Sequence, residues 1–300
     1  MGKATKIWLV MAAVLVVAGC ILFGSVMMML RWDFSKLDTN KMVTNTYEVR
    51  GEFRRLSIEV DTAHIRFAVS ENGNCRVESY GPQQVSYAVS VEDDILSIKT
   101  VDQRKWYDHL HFHFSAPELT VYLPKGSYDT LSLDGSAGNV EIPEDFQFEN
   151  MLITVSTGRV SVMASVSDTM RVKTSTGDIC VENVTADRLE LSVSTGAIRL
   201  TNVSCQNLIS KASTGDIVLR NVIAGERFTI KTTTGNVKFD RCDAHEISVS
   251  TDTGSVTGSF LTDKVFAAKS STGKVDVPKT TTGGTCEIKT NTGNIKLTIG

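Results

Sequence analysis

The sequence is short of charge imbalance, aromatic rings and paired cysteine motifs. A formal net charge of −3 over 300 residues sets up no field of one sign, which argues against nucleic acid as the partner. Aromatic residues make up only 7%, while Thr, Ser, Val and Gly are plentiful, a composition of strands and turns rather than helices. Six cysteines occur without a single Cys-x-x-Cys. Five of them, Cys75, Cys180, Cys205, Cys242 and Cys286, follow the apolar N-terminal run, and an odd number argues against a full disulfide framework. They read as small buried residues, with a single Cys180–Cys205 bridge left open.

Only one long apolar run is present. Residues 7–30 carry no charge, and as a helix they would span roughly 36 Å, enough for a bilayer core with some tilt. Lys3 and Lys6 precede the run, so residues 1–6 are expected inside and everything after Arg31 outside the cytoplasm. A cleaved signal peptide fits less well, because the run is long and lacks a polar cleavage region. A lipidated Cys20 in "VAGC" also fits less well, because apolar residues continue to Leu30. Residues 31–43 read as a stalk.

Residues 44–134 read as a β-rich, membrane-proximal region. Segments such as "LSIEV" (56–60), "HIRFAV" (64–69), "ILSIKT" (95–100) and "ELTVYL" (118–123) alternate in strand fashion. In "DHLHFHF", His109, His111 and His113 share one side of an expected strand, beside Trp106 and Tyr107. On a strand the outer two imidazoles lie roughly 13 Å apart, too far for one metal ion. Outward polar histidines are the expectation, and no cofactor or metal is expected.

Residues 135–300 repeat. Gly138, Gly158, Gly177, Gly196, Gly215, Gly235, Gly254, Gly273 and Gly293 recur every 19 or 20 residues. That period over nine copies predicts an all-β, parallel β-solenoid (β-helix) of about nine rungs. Two residues after each glycine stands Val or Ile, and positions four after, five before and seven before are mostly apolar. Polar residues alternate with them, so each rung holds period-2 strands; no period of 3.6 appears. "STG" marks one turn, and Asn183, Asn202 and Asn221 mark a second, since Gly and then Asn best tolerate positive φ. At about 4.8 Å per rung the rod would be roughly 40 Å long. The glycines are therefore read as structural turns.

An N-terminal anchor, a strand-rich segment and "STGDI"-like rungs every 19 or 20 residues resemble the bacterial "putative adhesin" family of β-strand-repeat domains of unknown function. The resemblance implies a β-repeat surface protein and brings no catalytic residues. It also implies a link, in some members, to envelope-stress systems.

Three columns and the last rung bear on function. Asp178 and Asp216 share the position after the glycine but lie two rungs, roughly 9.6 Å, apart with Ala197 between, a poor catalytic or metal pair. Four before the glycine stand Lys173, Lys211, Lys231, Lys269 and Lys289, expected to point outward as a stripe for an anionic ligand. The plainer reading is a solvated sheet face that discourages association. Three before the glycine, Thr232, Thr251 and Thr290 match an ice-binding array only partly, because Val155, Val193 and Ala212 interrupt; the column is expected to face the core or the turn. The last rung, ending at Gly300, lacks a cap and is expected to be open to self-association.

The expectation is a non-catalytic, single-pass cell-surface scaffold that binds an envelope polymer, lipid headgroups or a surface or membrane protein. A sensor subunit in envelope-stress signalling is the second reading, and a polysaccharide-active β-helix enzyme the third.

Overall fold

Alternation builds the walls. In a strand such as "TMRVKTST" (Thr169–Thr176), Met170, Val172 and Thr174 are buried while Arg171, Lys173 and Ser175 are exposed. One face of every strand can be removed from water only if strands stack around a shared interior, and a 19–20-residue repeat wraps that stack into a coil. The computed structural model describes residues 2–32, 42–102 and 116–300. The expected stalk lies mostly outside the described residues, as do His109, His111, His113, Trp106 and Tyr107.

The described residues form one apolar helix, Lys3–Met29, and 23 strands in one hydrogen-bonded sheet. The sheet is a β-solenoid of about nine turns. Each middle rung pairs in parallel with the rungs on either side, as Met170 does with Met151 and Leu189. The interior is one apolar cluster running from Leu56 to Leu297.

Stacking also extends below Gly138. Strands Arg55–Thr62 and His64–Val69 pair in parallel with Gly126–Ala137 and Val140–Ile142. In that rung Ala63 takes the place of the repeat glycine. Strands Ile95–Asp102 and Glu118–Leu123 pair in parallel with its other side, although they come later in the chain. Antiparallel strands then finish this end: Val85–Glu92 beside Ile95–Asp102, Arg76–Pro82 beside Glu118–Leu123, and Met42–Glu48 beside Arg76–Pro82.

The other end is also out of chain order. Strands Gly284–Thr292 and Ile295–Ile299, the rung of Gly293, pair with the Gly254 rung on one side and with the Gly273 rung on the other. The expectation that the last rung is the open end is therefore corrected. Gly284–Thr292 is paired on both sides, as are Ile295 and Lys296, while residues 297–299 pair only with the Gly254 rung; the outermost rung is that of Gly273 (Lys264–Thr272 and Val275–Asp276).

The left-open Cys180–Cys205 bridge is also corrected. All six cysteines are free. Cys180 sits at an outward position on one wall, and Cys205 points into the core of another. Burial pushes the thiols of Cys75, Cys205 and Cys286 up to about 12 and that of Cys242 up to about 11, so these are packing groups rather than nucleophiles.

Candidate functional site

The repeat turn is structural, and its geometry shows why. Gly177 has φ 133°, and a Cβ there would collide with the carbonyl of Gly158 in the rung below. The glycine allows both the left-handed backbone and a close approach of consecutive turns. Thr174, Thr232, Thr251 and Thr290 are buried beside it, and their hydroxyls donate to the carbonyls of Gly158, Gly215, Gly235 and Gly254. This column faces inward, as its apolar members Val155 and Val193 imply.

The position after the glycine joins the rungs from outside. Asp178 Oδ1 accepts from the Ala197 amide at 2.9 Å, and Asp216 Oδ1 accepts from the Asn236 amide at 2.8 Å. Asn139 and Asn236 do the same for Arg159 and Ser255. The Ala197 amide first, and then the Arg199 guanidinium, hold the Asp178 carboxyl below the usual carboxylate range. Its second oxygen meets Arg199 at 2.7 Å and Arg159 at 3.6 Å. Both acids are thus engaged with the next rung. Among the described residues, no three His, Cys, Asp or Glu side chains converge as a metal site.

The lysine column does lie on the outside. All five lysines are exposed. Register gives the file in spatial order: Thr154, Lys173, Ser192, Lys211, Lys231, Ser250, Lys289, Lys269. The last two are reversed relative to the chain by the rung order at that end. Lys211 and Lys231 therefore lie on adjacent rungs, as do Lys289 and Lys269, roughly 4.8 Å apart at the backbone. Lys289 pairs with Glu287; among the described residues the other four amines have no carboxylate within 4.0 Å. On their own rungs Lys211 is flanked by Ile209 and Ser213, and Lys231 by Thr229 and Thr233; one rung away Glu190 stands beside Ile209 and Asp252 beside Thr233.

A cleft that no sequence pattern announced opens near the other end. It holds about 950 Å³ and is lined in part by Arg50, Phe53, Arg54, Lys125 and Tyr128. Phe53 stacks on Tyr128 with centroids 6.1 Å apart, and Tyr128 donates its hydroxyl to the Pro124 carbonyl at 2.7 Å. No periodicity marks it, because it forms where the antiparallel strands meet the first rungs.

The helix Lys3–Met29 contains an apolar span, Thr5–Met29, with mean hydropathy 2.7, long enough to cross a membrane or to serve as a signal sequence.

Fold and surface together define an all-β repeat protein whose periodic residues serve the stack. The Toastrack DUF4097 family model matches residues 53–222 and 202–300, and the chain belongs to this family. No curated protein sequence matches the chain. Among solved structures, a "putative adhesin" from Parabacteroides merdae ATCC 43184 is similar at 14% identity and TM-score 0.50, over 87% of this chain and 97% of that one. Another "putative adhesin", from Bacteroides fragilis NCTC 9343, is similar at 18% identity and TM-score 0.49, over 87% and 99%. A "putative lipid binding protein" from Parabacteroides distasonis ATCC 8503 is similar at 14% identity and TM-score 0.48, over 87% and 98%. At these identities the likeness is one of fold.

Proposed function

We propose that this chain is a non-catalytic surface protein, held in the membrane by residues 7–30 with residues 1–6 inside, whose solenoid binds an anionic component of the cell envelope. The observation that carries the reading is the lysine file. Four amines without a carboxylate partner stand along one wall. Lysines that only solvate a wall are commonly matched by nearby acids, as Lys99 is by Glu59 in the same column at 3.0 Å. A single file of amines suits a linear polyanion, whose charges would meet successive amines. The apolar span supports the anchor, and Lys3 and Lys6 before it support the orientation.

The test is binding of the purified full chain, in detergent micelles, to isolated cell envelopes at rising salt. A variant with Lys173, Lys211, Lys231, Lys269 and Lys289 changed to Ser is measured beside it. Wild-type binding should fall with salt, and the variant should bind at least about tenfold more weakly, since each amine near an anionic surface is worth about 1 kcal/mol. Equal binding by both proteins would sink the reading. Competition by soluble envelope polymer, set against anionic vesicles, separates polymer from lipid headgroups.

A further inference from the structure

The chain leaves the Gly254 rung at Phe260 and crosses to the outermost position in three residues, Leu261, Thr262 and Asp263. It builds the Gly273 rung there and then returns to fill the space it skipped. The outermost rung has no backbone pairing with the Gly254 rung. Its strands pair only with Gly284–Thr292 and Ile295–Ile299.

Two side chains of the outermost rung nevertheless reach across the inserted one. Lys264 is aligned with Gly284, and Gly284 in turn lies over the backbone of His245. Past that glycine the Lys264 ammonium meets Asp243 Oδ1 at 2.5 Å and donates to Thr262 Oγ1 at 2.6 Å. The pair is buried, with 3% of the Lys264 side chain and 14% of the Asp243 side chain exposed. A small cavity of about 290 Å³, lined in part by Ala244, His245 and Gly284, lies at the crossing. Phe266 is aligned with Cys286, a small residue, and its ring reaches Phe260 with centroids 6.4 Å apart. Phe260 packs on Phe239 at 5.0 Å. Gly284 and Cys286 are thus small where Lys264 and Phe266 pass, and both contacts bridge roughly 9.6 Å of stack.

We propose that residues 261–300 form a clasp. The last rung is threaded into a slot one rung wide and locked there by Lys264 and Phe266, and the two rungs leave the stack together. Removing the inserted rung strips the outermost rung of every backbone bond it has to the stack, leaving two side-chain contacts that cannot hold it against chain entropy. A solenoid stacked in chain order would instead lose only its last rung. Opening the clasp uncovers the strand edge and apolar floor of the Gly254 rung, including Phe260, which packs on Phe239 of the rung beneath.

The test is hydrogen–deuterium exchange, read by mass spectrometry, on the full chain and three variants. In Gly284→Val the new side chain falls on the His245 carbonyl, so the rung cannot seat. Strands Lys264–Thr272 and Gly284–Thr292 should both lose protection by more than about tenfold, while Arg188–Thr195 keeps its own. A chain ending at residue 283 should lose protection over Lys264–Thr272 in the same way. In the double variant Lys264→Met, Phe266→Ala, exchange in Gly284–Thr292 should rise by about tenfold although no residue there has changed. Retained protection of Lys264–Thr272 in the first two variants would mean that this strand drops into the vacated slot, and would overturn the proposal. So would unchanged exchange in the double variant. Loss of protection through Arg188–Thr195 would also overturn it, because the clasp would then not be separable from the rod.

Discussion

Asn202 donates its side-chain amide to Asn183 Oδ1 at 2.9 Å, one rung away, while its own Oδ1 accepts from Asn221 at 3.0 Å. The three asparagines have φ of 56°, 53° and 53°, so the same residues turn the chain and tie the turns together. The two contributions can be separated. Asn202→Ala should destabilise by about 2 kcal/mol, combining left-handed strain with two lost side-chain bonds. Asn202→Gly relieves the strain and should cost about 1 kcal/mol. Urea unfolding of the two variants checks the order; equal losses would assign the whole effect to the hydrogen bonds.

The glycine column should be intolerant. Gly215 has φ 144°, and a Cβ there would overlap the Gly196 carbonyl, which belongs to the backbone and cannot rotate away. Gly215→Ala should cost about 3 kcal/mol or more, from strain and overlap together. A thermal melt within a degree of the parent would contradict the close approach of the rungs.

One core position should be improvable. Ser210 stands in an inward column between Leu191 and Ile230, fully buried, and its hydroxyl has no partner among the described residues. Ser210→Ala removes an unmatched polar group and should stabilise by about 1 kcal/mol. A lower denaturation midpoint would show that the hydroxyl is bonded in solution.

Acid should weaken the outer wall in a definite window. Arg171 first, and then Arg188, hold the Glu190 carboxyl below its usual range, with Arg171 at 2.7 Å. A depressed carboxylate pKa stabilises the fold fully above the unfolded value of about 4.3 and loses that contribution as pH falls through the lowered folded value. With the arginines about half exposed, the loss should stay near 1 kcal/mol. Glu190→Gln should flatten that part of the stability curve below about pH 4.3 and leave the alkaline side unchanged. A variant whose acid limb matches the parent would remove Glu190 as the cause.

Much of this was legible in the residues. Strand alternation and a fixed period decide which side chains face inward, because a strand has only two faces and a stacked repeat must place like on like. Met170 inward and Lys173 outward follow from that alone. The turns at Gly177 and Asn202 follow as well, from the few residues that accept positive φ. The rung of Ala63 escaped the glycine register because alanine stands where the glycine would be.

Spatial order at the ends was not legible. Every rung carries the same pattern, so nearest-neighbour pairing alone lets almost any rung rest on any other. What selects the order is fit over two rungs, between residues that no repeat aligns: Lys264 passing Gly284 to Asp243, and Phe266 above Cys286 reaching Phe260. Local chemistry repeated at a fixed period sets the wall, its two faces and its turns. Which rung lies outermost, and the order in which the lysine file closes, are set in three dimensions, because both depend on contacts that skip a neighbour.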